Sequence, residues 1–152
     1  MNYSILYSNV FVNKTDDTKK YVSVLVKDDN NFYIIGIVIT SQNGKTTWDF
    51  DNDTDRIKLG IIEEKDIELF LDKLQNDSKS LTYNYDDYKI CDLILNGTEM
   101  KVAICDKDML FHIVNINISN GNVQVDSSYD FKTKEDLLNL WDRVSEFVSK
   151  SN

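Results

Sequence analysis

Phe32-Tyr-Ile-Ile-Gly-Ile-Val-Ile-Thr40, followed by Asn43-Gly44 and then Trp48-Asp-Phe50, is the stretch that decides the fold. Its apolar residues are dense and largely β-branched, an Asn-Gly step interrupts them, and the apolar pattern resumes at once. That is the signature of two antiparallel strands joined by a type I′ hairpin. A two-residue turn at Asn43-Gly44 sets Ile39 opposite Trp48 and Ile37 opposite Phe50, so both strands place apolar side chains on one face. Carrying the sheet back through the turn from Asp28 to Asn31 brings Val22 and Val24 beside Ile37 and Ile35. The same face thus stays apolar over three strands.

The pattern returns later in the chain. Phe111-His-Ile-Val-Asn-Ile-Asn-Ile-Ser119 matches residues 32–40, Asn120-Gly121 supplies the turn, and Tyr129-Asp-Phe131 matches Trp48-Asp-Phe50. The second turn sets Ile118 opposite Val123 and Ile116 opposite Val125. Asp66, Ile67, Phe70, Leu71, Asp72, Lys73 and Leu74 correspond, at a constant shift of 70, to Asp136, Leu137, Leu140, Trp141, Asp142, Arg143 and Val144. The apolar members recur at i, i+3, i+4 and i+7, which places them on one helical face. Residues 3–75 and 88–149 therefore read as pseudo-duplicated ββββα units within a single domain covering 1–152. The predicted strands are 3–12, 20–27, 32–40 and 45–51, then 88–95, 99–105, 109–119 and 122–128. The predicted helices are 62–75 and 133–149, the second opened by a capping box of Thr133 and Asp136. The fold class is α+β, an antiparallel sheet with two helices on one face.

The opposite face is less polar than an exposed sheet would be, since Tyr21, Leu25, Ile34 and Val38 fall on it, as do Ala103, Cys105, Phe111 and Ile113. A second layer from the other copy, a homodimer interface and a docking surface are three accounts of it, and burial within the chain or a dimer is the expectation. Cys91 and Cys105 flank Asn96-Gly97. A two-residue turn there pairs Leu95 with Thr98 and Cys91 with Val102, which leaves the thiols unopposed and reduced; a three-residue turn would set them face to face.

Composition bounds the function. A chain of 152 residues that is 41% hydrophobic and 11% aromatic can bury a core. The longest apolar run, Ile34 to Ile39, is too short to cross a bilayer, and residues 1–8 lack the basic start and unbroken apolar stretch of a secretion signal. The expectation is a cytoplasmic protein with no membrane partner. The formal charge is −9, with four more acids than bases in each of residues 3–75 and 88–149. Phosphate binding needs clustered Lys and Arg, so nucleic acid is disfavoured, while a basic protein partner is favoured by opposite charge.

Fifteen residues separate Phe50 from Asp66, against four between Phe131 and Asp136. The longer segment opens with Asp49, Asp51, Asp53 and Asp55 at every second position, which on an extended chain would line one edge with carboxylates. Asp51-Asn-Asp53-Thr-Asp55 begins like an EF-hand loop, but Arg56 stands where glycine is needed and Ile62 where a bidentate Glu belongs, so no metal or other cofactor is expected. Gly44-Lys-Thr46 lacks the upstream glycine of a phosphate-binding loop. His112, the single histidine, falls at the position matched by Tyr33 and reads as structural, without a nucleophile motif beside it. The Asn-x-Ser/Thr triplets, as at Asn117, follow from an Asn-rich composition. Between the units, Tyr83, Tyr85, Asp86 and Asp87 combine rings with carboxylates, a mixture suited both to a protein interface and to a tethered connector.

The leading functional expectation is a non-catalytic inhibitor that occludes a basic protein, such as a toxin, in the manner of an immunity protein or antitoxin. Asp49, Asp51, Asp53, Asp55, Tyr83, Tyr85, Asp86 and Asp87 would make the contact. The alternative is a small-molecule binding or sensing domain with a pocket between the two halves.

Overall fold

A computed structural model of the chain describes residues 2–51, 53–79, 81 and 85–151. The chain divides into two compact units, Met1–Thr82 and Tyr83–Asn152. In the first unit β1 (Ser4–Val12), β2 (Lys19–Lys27), β3 (Phe32–Gln42) and β4 (Lys45–Phe50) form one antiparallel sheet in chain order, followed by α1 (Asp53–Lys58) and α2 (Glu64–Asp77). In the second, β5 (Tyr88–Asn96), β6 (Glu99–Asp106), β7 (Phe111–Ser119) and β8 (Asn122–Ser127) repeat that order, followed by α3 (Lys134–Ser151). The class is α+β, and the described residues form two four-stranded sheets and three helices, one helix more than expected. No described helix is long and apolar enough to cross a membrane.

The Asn-Gly turns set the registers. Asn43 and Gly44 hold φ of 52° and 76°, and Asn120 and Gly121 hold 52° and 77°, the paired left-handed conformation of a type I′ turn. Ile39 pairs with Trp48 and Ile37 with Phe50; Ile118 pairs with Val123 and Ile116 with Val125. Val22 and Val24 lie opposite Ile37 and Ile35 as the pattern requires. One core joins Val22, Val24, Val26, Tyr33, Ile35 and Ile37 from alternate strand positions with Phe70 and Leu74 of α2. The other joins Val102, Ile104, Val114 and Ile116 with Leu140 and Val144 of α3. Both long helices open on capping boxes, Glu63 with Asp66 and Thr133 with Asp136.

Several expectations are corrected. The β5–β6 hairpin turns on Gly97-Thr98, pairing Asn96 with Glu99, because Gly97 supplies the left-handed φ of 62°. Leu95 therefore faces Met100, and Cys91 falls in a bulge between Ile90 and Asp92 with no partner of its own. Neither cysteine is in a disulfide, and both are buried. Burial, and then the nearby Cys105 thiol, push the Cys91 thiol well above the ordinary range. A matching bulge interrupts β1 between Ile5 and Tyr7.

Tyr129-Asp-Phe131 does not occupy the place of Trp48-Asp-Phe50. The latter lies on β4, whereas Tyr129 and Phe131 follow the end of β8, and by register Val123 and Val125 hold the positions of Trp48 and Phe50. Repeated letters are weaker than repeated pairing. Trp141, expected on the buried stripe of its helix, is 49% exposed.

On the outer faces Leu25, Ala103 and Cys105 are fully buried by the chain itself, so at those positions no second copy is needed to cover them. Gly36 has its own reason there: a Cβ would collide with the ring end of Tyr21, which lies across it.

The segment after β4 is the largest departure from expectation. It is not an extended acidic edge. The chain leaves the sheet after Phe50, turns once through α1, and delivers Ile61, fully buried, with Leu59 beside it, to the first core.

Two measurements probe this account. Gly44→Val should cost about 2 kcal/mol in chemical denaturation through backbone strain alone, because no atom lies within 4 Å of the added Cβ. Ile61→Ala should cost roughly 2–5 kcal/mol; a loss near zero would mean that the segment is only a surface loop.

Candidate functional site

The eight residues singled out from the sequence fall in both units, Asp49, Asp51, Asp53 and Asp55 in the first and Tyr83, Tyr85, Asp86 and Asp87 in the second. Asp49 is exposed on β4 opposite Val38, and Asp51 lies just past the strand, where its amide donates to the Gly36 carbonyl at 2.9 Å. Asp53 opens α1. Asp55, on the same helix, is half-buried and accepts the Ile34 amide at 2.9 Å. That amide faces the side of β3 from which β4 has already departed, so the carboxylate replaces the missing strand partner. Asp55 therefore has a structural duty. Tyr83 lies outside the described residues.

Tyr85, Asp86 and Asp87 sit at the entry to β5, and an element the sequence reading passed over organises them. Arg143 of α3 reaches back to grip both carboxylate oxygens of Asp87 at 3.0 Å each, and it donates to the Tyr88 carbonyl at 3.0 Å. Its guanidinium also lies over the rings of Tyr88 and Tyr85, at 4.3 and 5.0 Å from their centroids. A planar fork that pairs and stacks at once is a task for arginine and not lysine. Burial pushes the Asp87 carboxyl up, but the Arg143 hydrogen bonds, the Tyr88 amide and the guanidinium charge outweigh it and hold the group below its ordinary value. The first unit contains a plainer version, in which Lys73 lies 4.4 Å over the Tyr3 ring and donates to the Tyr3 carbonyl at 3.5 Å.

Beside this anchor lies a cleft of about 400 Å³, wholly within the second unit. Asp86, Asp87, Asp106, Asp108, Asp130 and Asp136 line it, against two lysines, Lys107 and Lys132. Its aromatic wall is a cluster of edge-to-face rings. Tyr129 and Phe131 are 4.9 Å apart between centroids, and Tyr88 is 5.3 Å from the first and 5.8 Å from the second. Three of the carboxylates are already engaged: Asp87 by Arg143, Asp136 by the helix cap, and Asp106 as described below. Asp86, Asp108 and Asp130 have no carboxylate partner among the described residues. Tyr88, only 2% exposed, lines the cleft, and its buried hydroxyl has no hydrogen-bond partner among the described residues. Burial pushes that hydroxyl up to about 12; Arg143 opposes the rise, while Asp87, Tyr129 and Asp136, all on the cleft wall, add to it. Among the described residues no group of His, Cys, Asp and Glu is placed to hold a metal ion. The chemistry on offer is that of a site for an organic cation.

His112 completes the neighbourhood. Its Nε2 lies 2.7 Å from Asp106 Oδ2 and its Nδ1 lies 2.6 Å from Ser128 Oγ. The Ser-His-Asp sequence of contacts resembles a hydrolytic triad, but the roles of the two nitrogens are exchanged. Asp106 Oδ1 meanwhile accepts the Asp108 and Leu110 amides of the β6–β7 turn at 2.8 and 3.0 Å. Asp28 does the same work in the first unit: it accepts the Asn30 and Asn31 amides at 2.8 and 2.7 Å and the Tyr33 hydroxyl at 2.8 Å. The position matched by Tyr33 is thus a turn brace in both units, and the histidine is read as structural.

No family model matches this chain, and no curated protein or solved structure matches it.

Arg143→Met should lower stability by about 1–2 kcal/mol at neutral pH, because it strips a partly exposed bidentate pair. Asp87 titrates below its ordinary 3.8 in the folded chain, so its contribution is complete above that value and is lost as pH falls through the lower, folded one. The gap between the urea midpoints of parent and variant should therefore narrow below pH 3.8, leaving only the part due to the Tyr88 carbonyl and the rings. A gap that stays constant into strong acid would remove the ion pair as its source.

Proposed function

We propose that this chain is an acidic, non-catalytic binding protein that occludes a basic protein partner, such as a toxin, in the manner of an immunity protein or antitoxin. The observation that carries the reading is the cleft of the second unit, where six aspartates face two lysines beside three edge-to-face rings. Rings anchor and carboxylates select, which is the division of labour in protein interfaces. The formal charge of −9 supports it by accelerating encounter with a cationic surface. Leu138 and Trp141, 66% and 49% exposed on α3, add apolar area to the same unit. Asp49 and Asp51 in the first unit are both exposed and are a second acidic feature that a basic partner could use.

We also read the two units as copies of one ββββα template, each with its helix against the same face of its sheet. The support lies in repeated details that hydrophobic patterning does not require. Each first strand carries a bulge after its second core residue, Ile5 or Ile90. Each opening tyrosine is held by a base from the helix, Lys73 or Arg143. Each carboxylate at the second turn braces the following strand, Asp28 through Tyr33 and Asp106 through His112. Between the last strand and the helix, each connecting segment gives two side chains to its core: Leu59 and Ile61, or Tyr129 and Phe131.

A cleft of about 400 Å³ also falls in the size range of small-molecule sites, so the second reading is a small-molecule binding or sensing domain whose pocket lies inside one unit and not between the two halves. Thermal unfolding separates the two. The basic protein encoded by a neighbouring reading frame, at a hundredfold excess over its Kd, should stabilise the chain by about 2.7 kcal/mol, while a panel of metabolites should leave it unchanged. Stabilisation by a metabolite and by no macromolecule would reverse the assignment. Stopped-flow association with that protein should slow by about tenfold or more at low salt in Asp86→Lys/Asp130→Lys, and likewise in Asp49→Lys/Asp51→Lys. An unchanged rate removes that pair from the contact.

A further inference from the structure

The cleft has specific unmet requirements. Carboxylates gathered beside aromatic rings are costly to desolvate unless a cation joins them, which rules against a neutral or anionic occupant. The described carboxylates do not converge as a metal set. An occupant that is flat, cationic and rich in N–H donors would meet all of these at once.

The chain itself displays how such a group is held. In the first unit Arg56 lies 5.0 Å over the Phe50 ring and donates to the Ile61 carbonyl at 2.7 Å. Ile61 stands five residues before the capping acid Asp66, and Phe131 stands five before Asp136. Both pack against their unit's core. The second unit has no counterpart of that arginine: by register fifteen residues lie between Phe50 and Asp66, but ten between Val125 and Asp136, and residues 122–131 contain no base. Where the first unit has its own guanidinium, Phe131 borders an open acidic cleft.

We infer that the cleft of the second unit receives the guanidinium group of an arginine side chain presented by the basic partner. The planar cation stacks on the ring wall of Tyr129 and Phe131, and its donors reach the carboxylates of Asp108 and Asp130. Stacking and forked donation favour guanidinium over the compact ammonium of lysine. The inference rests on the occlusion reading for the source of the arginine, and on the cleft alone for its chemistry.

The test is a titration of the full chain, followed by amide NMR shifts, with N-acetyl-arginine methylamide, its lysine analogue and its norleucine analogue as probes. The arginine probe should give saturable shifts confined to residues 86–88, 106–108, 129–132 and 136–139, with weaker binding of the lysine probe and none of norleucine. Asp108→Asn/Asp130→Asn should weaken the arginine probe at least about fivefold, with the rest of the spectrum unchanged as proof of folding. Glu68→Gln/Asp77→Asn, which removes the same charge from α2, should leave its affinity as it was. Shifts spread over all acidic segments, equal binding of lysine, or no saturation would each overturn the assignment. If the basic partner stabilises the chain while the arginine probe leaves the cleft silent, this inference fails and the occlusion reading stands. If the probe saturates the cleft and no macromolecule binds, the inference stands and the occlusion reading fails.

Discussion

Four residues in left-handed backbone, Asn43 and Gly44 in one sheet and Asn120 and Gly121 in the other, hold the pairing of the last two strands of each unit. Side chains alternate faces along a strand, so a slip of one residue would turn Ile35 and Ile37 outward and bring Ile34 and Gly36 against the helix. The cores tolerate no such exchange, because Val24, Val26 and Ile35 are fully buried and belong to one parity. Everything that later lies on those faces, including the helices and the segments that lead into them, depends on this register.

The helix is then tied to the start of its unit by a cation over a tyrosine ring. In the first unit a lysine suffices, lying over the Tyr3 ring and donating to the Tyr3 carbonyl. In the second, arginine adds a fork that draws Asp87 and Tyr85 to the helix, and the wall of the cleft begins there. The two units also differ in the path from last strand to helix. One path is longer, folds into α1, supplies Ile61 to its own core and sets Arg56 over the Phe50 ring. The other is shorter, ends in Tyr129 and Phe131, and leaves a cleft beside them. Function, on this reading, resides where a common plan is left incomplete.

Much of the plan was legible in the sequence. The eight strands fall within two residues of their expected limits, and the registers at both Asn-Gly turns follow the turn chemistry. The capping box of Thr133 and Asp136 is present, and Phe70, Leu74, Leu140 and Val144 are buried as their spacing requires. The candidate site was legible only in part. Asp86 and Asp87 do line the cleft, but the alternating aspartates after Trp48 do not share an edge, because the strand stops at Phe50. The matched triplets Trp48-Asp-Phe50 and Tyr129-Asp-Phe131 misled, since similar residues six positions out of register do different work.

The sequence by itself determined strand parity, turn type, helix faces and overall charge, since each of these is carried by residues within a few positions of one another. Only the tertiary structure decided that Arg143 would reach Asp87, 56 residues away, or that Asp55 would satisfy the amide of Ile34. The cleft belongs to this second class. Its aspartates come from the entry to β5, the β6–β7 turn, the segment after β8 and the first turn of α3, and no local pattern records that these four places meet. Proximity between distant segments is set by packing of the core beneath them, and the chain order alone does not contain it.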